Sequence, residues 1–237
     1  MASPLDNHLL ATLPADDLAA LDGHFRTVEL RDGDTLAKPG DEIRTIYFPH
    51  SGIVSFMVEA NNGRVVQTSM VGRDGVIGAA QALDDKVSLN KIIVEMQGTA
   101  SAIDRAPIRE AVLTGSAIRR VLASYEQFFV ADIQQTAVCN ALHDVSERMS
   151  RWILRMMDLA GTDLEITQEQ LAEMIGVRRS TITEAAGLLQ SSGLISYKRG
   201  TIHISDVGRL KLSTCECHES VRQNYIRVFG IPPPISH

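Results

Sequence analysis

Residues 166–195 read Ile166-Thr-Gln-Glu-Gln-Leu-Ala-Glu-Met-Ile-Gly176-Val-Arg-Arg-Ser-Thr-Ile-Thr-Glu-Ala-Ala-Gly-Leu-Leu-Gln-Ser-Ser-Gly193-Leu-Ile195. Thr167 is placed to cap a helix, and Gln170, three residues on, completes a reciprocal capping pair. Leu171, Ala172 and Ile175 fall on one face, with Ala172 small where a second helix must cross closely. Gly176 supplies the left-handed residue that ends the helix. After a turn of three or four residues the spacing predicts a second helix from about Arg179 to Ser191. Its inward face is Ile182, Ala185, Ala186, Leu188 and Leu189. Gly193 stops it, and Leu194–Ile204 predicts a hairpin with Lys198 and Arg199 at the tip. This is the pattern of a helix-turn-helix followed by a wing: an apolar scaffold that presents a polar face to a major groove ~12 Å wide. The candidate DNA contacts are Thr167, Gln168, Arg178, Arg179, Ser180, Thr181, Thr183, Glu184, Lys198 and Arg199. Arg179, near the helix start, matches the O6/N7 pair of guanine, and Glu184 can accept from cytosine N4.

The charge around this segment is local. The whole chain of 237 residues carries 23 Lys and Arg against 29 Asp and Glu, a net charge of −6. Between Ile166 and Ile204 four basic residues (Arg178, Arg179, Lys198, Arg199) meet three acids (Glu169, Glu173, Glu184), for a net of +1. All four basic residues fall in the turn, the second helix and the wing. So small an excess implies weak non-specific affinity. The 44% hydrophobic and 22% charged content is that of a folded globular chain and excludes wholesale disorder. No run approaches the ~18 apolar residues of a membrane span. Met1-Ala2-Ser3-Pro4-Leu5-Asp6 lacks the basic and apolar regions of a secretory signal. Three sparse cysteines fit a reducing, cytoplasmic compartment.

Upstream, two textures precede the winged segment. A short helical lead-in occupies residues 1 to about 22. From Phe25 to Asp104, short β-branched runs alternate with turn signals, and strands are predicted at Thr27–Leu30, Thr45–Phe48, Gly52–Glu59, Val65–Val71, Ile92–Met96 and Thr99–Ile103. Asn62-Gly63 predicts a tight type I′ hairpin, which needs positive φ at both central residues. Many short, regularly spaced strands suggest an antiparallel barrel or sandwich. From Ser116 to Leu159 the apolar positions step by three and four, the stripe of a long helix. Ile118, Val121, Leu122, Tyr125, Phe128, Phe129, Ile133 and Val138 are its candidate dimer-interface residues, since a second copy is the simplest cover for so long a stripe. Asp144 and Glu147 fit a capping box, so one helix is predicted to stop near His143 and another to begin there. Short helical segments are expected after Gly161, and Ser213–Val228 is predicted as a final helix.

With these motifs in view the sequence resembles the Crp/Fnr transcriptional regulators over nearly its whole length. The markers are Tyr47-Phe48-Pro49-His50-Ser51-Gly52, the turn Val71-Gly72-Arg73-Asp74-Gly75-Val76-Ile77-Gly78, Asp144-Val145-Ser146-Glu147-Arg148, and the Ile166–Ile204 winged helix. The resemblance implies an α+β fold: an N-terminal antiparallel β-roll, jelly-roll-like and of the cyclic-nucleotide-binding type (1–115), a long dimerisation helix (116–143), and a C-terminal winged helix-turn-helix with a final helix (144–237). It implies a homodimer that binds double-stranded DNA at an inverted repeat and contacts RNA polymerase, with no enzymatic activity.

The departures bear on the effector. Cyclic-AMP-binding members carry Gly-Glu-Leu, whose glutamate takes the ribose hydroxyl, where this chain has Gly78-Ala79-Ala80. Their phosphate-binding Arg-Ser pair aligns with Asn90-Lys91, and lysine is not equivalent to arginine there. Their adenine-contacting Thr-Ser pair falls near Ile133-Gln134. Cyclic AMP is therefore not the expected effector, which is left unknown. No cysteine precedes Cys139, so the iron–sulfur cluster of oxygen-sensing members is not expected. His24 and His50 read as surface residues near turns. Cys215-Glu216-Cys217-His218 has a ligand-like composition, but the predicted helix would send residues two apart to different faces. No metal or cofactor is expected there, and Cys139 reads as a small core residue. The rival functions are a β-barrel ligand sensor, or a cupin-like metal enzyme, with no DNA role. The latter needs two histidines and a carboxylate, whereas the barrel segment offers only His24 and His50, far apart.

Overall fold

The computed structural model describes residues 3–84, 87–115 and 117–235. Two 3₁₀ turns and helix α1 (Ala15–Asp22) lead into strands β1 (Arg26–Leu30), β2 (Thr35–Ala37), β3 (Thr45–Pro49), β4 (Ile53–Glu59) and β5 (Val65–Val71). Helix α2 (Ala79–Leu83), strands β6 (Lys91–Met96) and β7 (Gly98–Asp104) and helix α3 (Arg105–Leu113) complete the first unit. Its strands form two antiparallel sheets, ordered β1-β7-β3 and β2-β6-β4-β5. Ile46, Phe48, Val54, Phe56, Ile92, Val94 and Ile103 point between them into one apolar core. The fold is mixed α+β, as expected, and the six predicted strands appear with ends shifted by at most a residue.

The β4–β5 hairpin differs from its prediction. Glu59 pairs with Val65, leaving five connecting residues, and Gly63 adopts positive φ (77°) while Asn62 does not. The amide of Gly63 donates to the Ala60 carbonyl, so a wider loop replaces the type I′ turn.

Helices α4 (Ala117–Leu142) and α5 (Val145–Ala160) divide the long stripe where Asp144 caps the second. The Glu147 amide donates to Asp144 Oδ1 at 2.9 Å, and the Asp144 amide donates to Glu147 Oε2 at 3.0 Å. Ser116, the predicted helix start, lies outside the described residues. Strand β8 (Asp163–Glu165), helices α6 (Gln168–Ile175) and α7 (Arg179–Ser191), strands β9 (Ile195–Lys198) and β10 (Thr201–Ile204), and helices α8 (Val207–Leu212) and α9 (Cys217–Phe229) follow. The wing sheet runs β8-β10-β9. Its outer strand, β8, occupies a stretch read from sequence as short helices; three residues are too few to show a two-residue period.

Helix α9 folds back along α4. Tyr225 meets Phe128 edge-on, with ring centroids 5.1 Å apart. Together with the roll it covers Ile118, Leu122, Tyr125 and Phe128, four of the predicted dimer residues, which are buried within their own chain. Val121, Phe129 and Ile133 are half-buried, and Val138 is exposed. The stripe is thus used largely inside the chain. A second stripe on the opposite side of α4 is exposed: Ala123, Gln127, Val130, Gln134, Ala137 and Ala141.

Candidate nucleic-acid interface

The winged helix is built by local signals. The Gln170 amide donates to Thr167 Oγ1 at 3.2 Å, and the Thr167 amide donates to Gln170 Oε1 at 2.9 Å, which satisfies the first turn of α6. Gly176 ends the helix at φ 75°. A Cβ there would lie 2.9 Å from Val66 Cγ2, so Gly176 is required both by its backbone angle and by its neighbour. Arg64 Nη2 donates to the Gly176 carbonyl at 2.7 Å. The back of the turn therefore rests on the β4–β5 hairpin, and its front faces solvent. Arg178 stands at the N-cap of α7 without a side-chain capping bond. First-turn amides of that helix are left available to an anion such as a DNA phosphate.

The predicted contacts gather on this front. Thr167, Arg178, Arg179, Ser180, Thr183, Glu184, Lys198 and Arg199 are exposed, and Gln168 and Thr181 half-buried. Arg179 Nε lies 3.9 Å from Glu169 Oε2, with both side chains about two-thirds exposed. Such a pair holds by at most ~1 kcal/mol, so the guanidinium is readily released. The Thr183 hydroxyl lies 2.7 Å from Gln168 Oε1 and 3.1 Å from the Arg179 carbonyl, which locks the two helices together at the face. Tyr197, on β9, carries no motif of its own in the sequence. Its hydroxyl donates to the Ile166 carbonyl at 2.9 Å and its amide to Gln190 Oε1 at 2.8 Å, fixing the wing against α6 and α7. Leu188, assigned inward by its spacing, is 63% exposed on the outer face, one turn beyond Glu184. A leucine there is suited to a thymine methyl. At the wing tip Lys198 pairs with Thr201, and Arg199 (φ 51°) and Gly200 (φ 83°) form a two-residue turn with positive φ at both positions.

The roll meets α4 and α5 at the Val71–Gly78 turn. A Cβ at Gly72 would press on Leu159, and one at Gly75 would collide with Tyr125, so both glycines permit helix docking. Asp74, buried between them, receives Arg155 Nη2 at 2.7 Å. Asp132 accepts from Ser69 Oγ at 2.6 Å and faces Arg151 Nη2 at 3.5 Å, and Asp158 Oδ2 lies 2.9 Å from His218 Nε2. These groups join the roll, α4, α5 and α9. Glu95 of β6 is also buried near Ser55, Gln170 and Glu173, and burial pushes its carboxyl up to about 7. In the roll, Ala79 is buried in the apolar core beside Ile77 and Ala82, while Asn90 and Lys91 are half-buried. His50 is buried rather than at the surface. Its Nε2 lies 2.8 Å from Ser101 Oγ, and burial lowers its pKa. His24 is exposed.

The Cys215–His218 segment departs from its prediction. Only Cys217 and His218 belong to α9, so the backbone at Cys215 is free to turn both thiols the same way. His218 turns away, to Asp158.

Residues 147–212 match the model of the Crp-like helix-turn-helix domain, and residues 27–114 that of the cyclic nucleotide-binding domain. The chain is 22% identical over 201 residues to a CRP-like cAMP-activated global transcriptional regulator of Mycobacterium tuberculosis, covering 81% of this chain and 90% of that protein. Its fold is similar to FixK2 of Bradyrhizobium japonicum (TM-score 0.68, 13% identity, 81% of this chain and 98% of that one). It is also similar to the c-di-GMP-responsive global regulator CLP of Xanthomonas campestris (TM-score 0.65, 19% identity, 82% and 100%). Fold and exposed face together define a transcription regulator: a cyclic-nucleotide-binding-type roll carrying a helix-turn-helix DNA-binding domain. The chain belongs to the Crp/Fnr family. Among the described residues no helix is long and apolar enough to cross a membrane.

Proposed function

We propose that the protein acts as a homodimer that reads an inverted repeat through α7, holds the flanking phosphates with its wing, and is not controlled by cyclic AMP. The observation that carries the DNA reading is the gathering of Arg178, Arg179, Ser180, Glu184, Lys198 and Arg199 on one solvent-facing surface. The outward stripe of α4 supports the dimer. Its six residues step by four and three, the spacing of a coiled-coil seam, and its three alanines (Ala123, Ala137 and Ala141) let two helices approach closely. Such a pairing would set the two recognition helices about 34 Å apart, one turn of DNA. The apolar burial of Ala79, where cyclic-AMP-binding relatives place a ribose acceptor, supports a different effector or none. Contact with RNA polymerase beside the bound site follows from the family's mode of action.

The test is a duplex-binding series on genomically selected sites. Arg179→Ala is expected to cost ~1–3 kcal/mol on the specific site and to relax preference at one base pair per half-site, with circular dichroism unchanged. Equal binding of wild type and variant to cognate and scrambled duplexes would reject the role of Arg179. Sedimentation should give about 52 kDa, twice the 25.9 kDa chain, and Val130→Glu should shift it toward monomer. A low-micromolar cyclic AMP site by calorimetry would overturn the effector reading.

A further inference from the structure

Four side chains of metal-binding type converge where the chain enters and leaves the winged helix. Cys139 and His143 stand at i and i+4 near the end of α4, so they project from one face. Cys215 and Cys217 lie where the chain turns into α9. Cys139 Sγ is 3.6 Å from Cys215 Sγ, and Cys217 Sγ is 3.5 Å from His143 Nδ1. All four ligand atoms lie within 4.8 Å of one another.

These spacings fit one tetrahedral ion. With Zn–S near ~2.3 Å and Zn–N near ~2.0–2.1 Å, a regular tetrahedron has S–S edges of about 3.8 Å and S–N edges of about 3.5 Å. The surroundings match as well. His143 Nε2 lies 3.3 Å from Glu216 Oε2, a carboxylate placed to hold the proton on Nε2 and leave the Nδ1 lone pair toward the thiols. Gln135 Nε2 donates to Cys217 Sγ at 3.1 Å. Arg148 and Arg151 act electrostatically on Cys139, in the sense that favours its thiolate.

We propose that Cys139, His143, Cys215 and Cys217 bind one zinc ion in a closed, four-coordinate structural site. Binding would release the thiol protons to solvent. Three sulfurs and a nitrogen select a thiophilic ion over magnesium or calcium. Four protein ligands leave no open position, so the ion clasps and does not catalyse. The ligand pairs bracket residues 147–212, the matched DNA-binding domain, so the clasp would fasten its entry to its exit.

The experiment uses the tag-free full-length protein, purified in reducing buffer without chelator. Elemental analysis is expected to find about one zinc per chain. Stripping and titrating with cobalt(II) should give the sulfur-to-cobalt charge-transfer band and the intense visible bands of a tetrahedral thiolate site. Cys215→Ser and Cys217→Ser should each weaken the charge-transfer band, since one cobalt–sulfur bond is lost, and lower cobalt affinity. Glu216→Gln, which spares every ligand, should weaken cobalt binding ~10–100-fold, and His218→Gln should leave it unchanged. Zinc-free reduced wild type that gives only the weak spectrum of hydrated cobalt would overturn the proposal. So would a charge-transfer band and cobalt affinity unchanged in Cys215→Ser, or isolation of the native chain as a metal-free Cys139–Cys215 disulfide.

Discussion

The winged helix and the junction beneath it use the same residue types to opposite ends. On the DNA face, arginines are exposed and loosely held, as in the 3.9 Å approach of Arg179 to Glu169. At the junction, Arg155 is nearly buried and meets Asp74 at 2.7 Å, and Arg151 faces Asp132 in similar depth. An exposed guanidinium keeps its hydration and can exchange its partner for DNA. A buried one has lost water and is committed to its carboxylate. Burial, more than residue identity, separates recognition from structural roles in this chain.

The largest effect is expected at the junction. Arg155→Ala leaves Asp74 buried without its cation and should destabilise the fold by ~3–5 kcal/mol. The double variant Asp74→Asn/Arg155→Met removes both charges and should recover most of that loss. Urea denaturation of wild type, Arg155→Ala and the double variant checks this, and a double variant no more stable than Arg155→Ala would show that the stranded charge is not the source of the loss. Arg179→Ala should leave the same denaturation curve unmoved.

A smaller effect is expected at Gly176, where the two regions meet. Alanine at φ 75° is strained, and its methyl group would press on Val66. Gly176→Ala should therefore cost ~1–3 kcal/mol. Because Arg64 and Val66 hold the turn from behind, shortening Val66 to Ala should relieve part of the cost; if it relieves none, the contact with β5 is not what constrains the turn.

Glu95 sharpens the contrast by pH. Its carboxyl titrates near 7 in the folded chain against an ordinary value of 4.5, so the folded state keeps a proton that the unfolded state has lost. The group's effect on stability is therefore most favourable below that window and worsens as pH rises from 4.5 to about 7. Glu95→Gln should flatten this slope and raise the melting temperature most at about pH 8. Melts whose pH dependence is the same in both proteins would refute it.

Legibility from sequence followed the range of the interactions. The α6 cap, the Gly176 stop, the Asp144 box and strand β5 were all readable because each is set within a few residues. What escaped was set by distant partners. The stripe Ile118–Phe128 is apolar for either a second copy or α9, and only the return of α9 decides for the latter. His50 is buried because β7 brings Ser101 to it. Leu188 has helical spacing suited to a core, yet it is left exposed among the described residues. His143, 72 residues from Cys215, carries no local signal of their meeting.

The smallest predicted effect concerns the two hairpin tips, which exchange the roles their sequences suggest. Asn62-Gly63, a favoured type I′ pair, sits in a wider loop, whereas Arg199-Gly200 makes the tight turn with Arg199 at φ 51°. Arginine gains nothing from left-handed backbone, where its Cβ is crowded, and asparagine tolerates it well. An arginine there, against its backbone preference, sets a positive charge at the wing tip. Arg199→Asn should leave thermal stability unchanged or raise it by about 0.5 kcal/mol. The same substitution should lower DNA affinity alike for cognate and scrambled duplexes, and reduce the salt slope by about one per wing contact. Stability and binding would then move in opposite directions at one residue. If Arg199→Asn instead destabilises the fold and leaves the salt slope intact, the arginine is a structural element of the wing and phosphate contact falls to Lys198 alone.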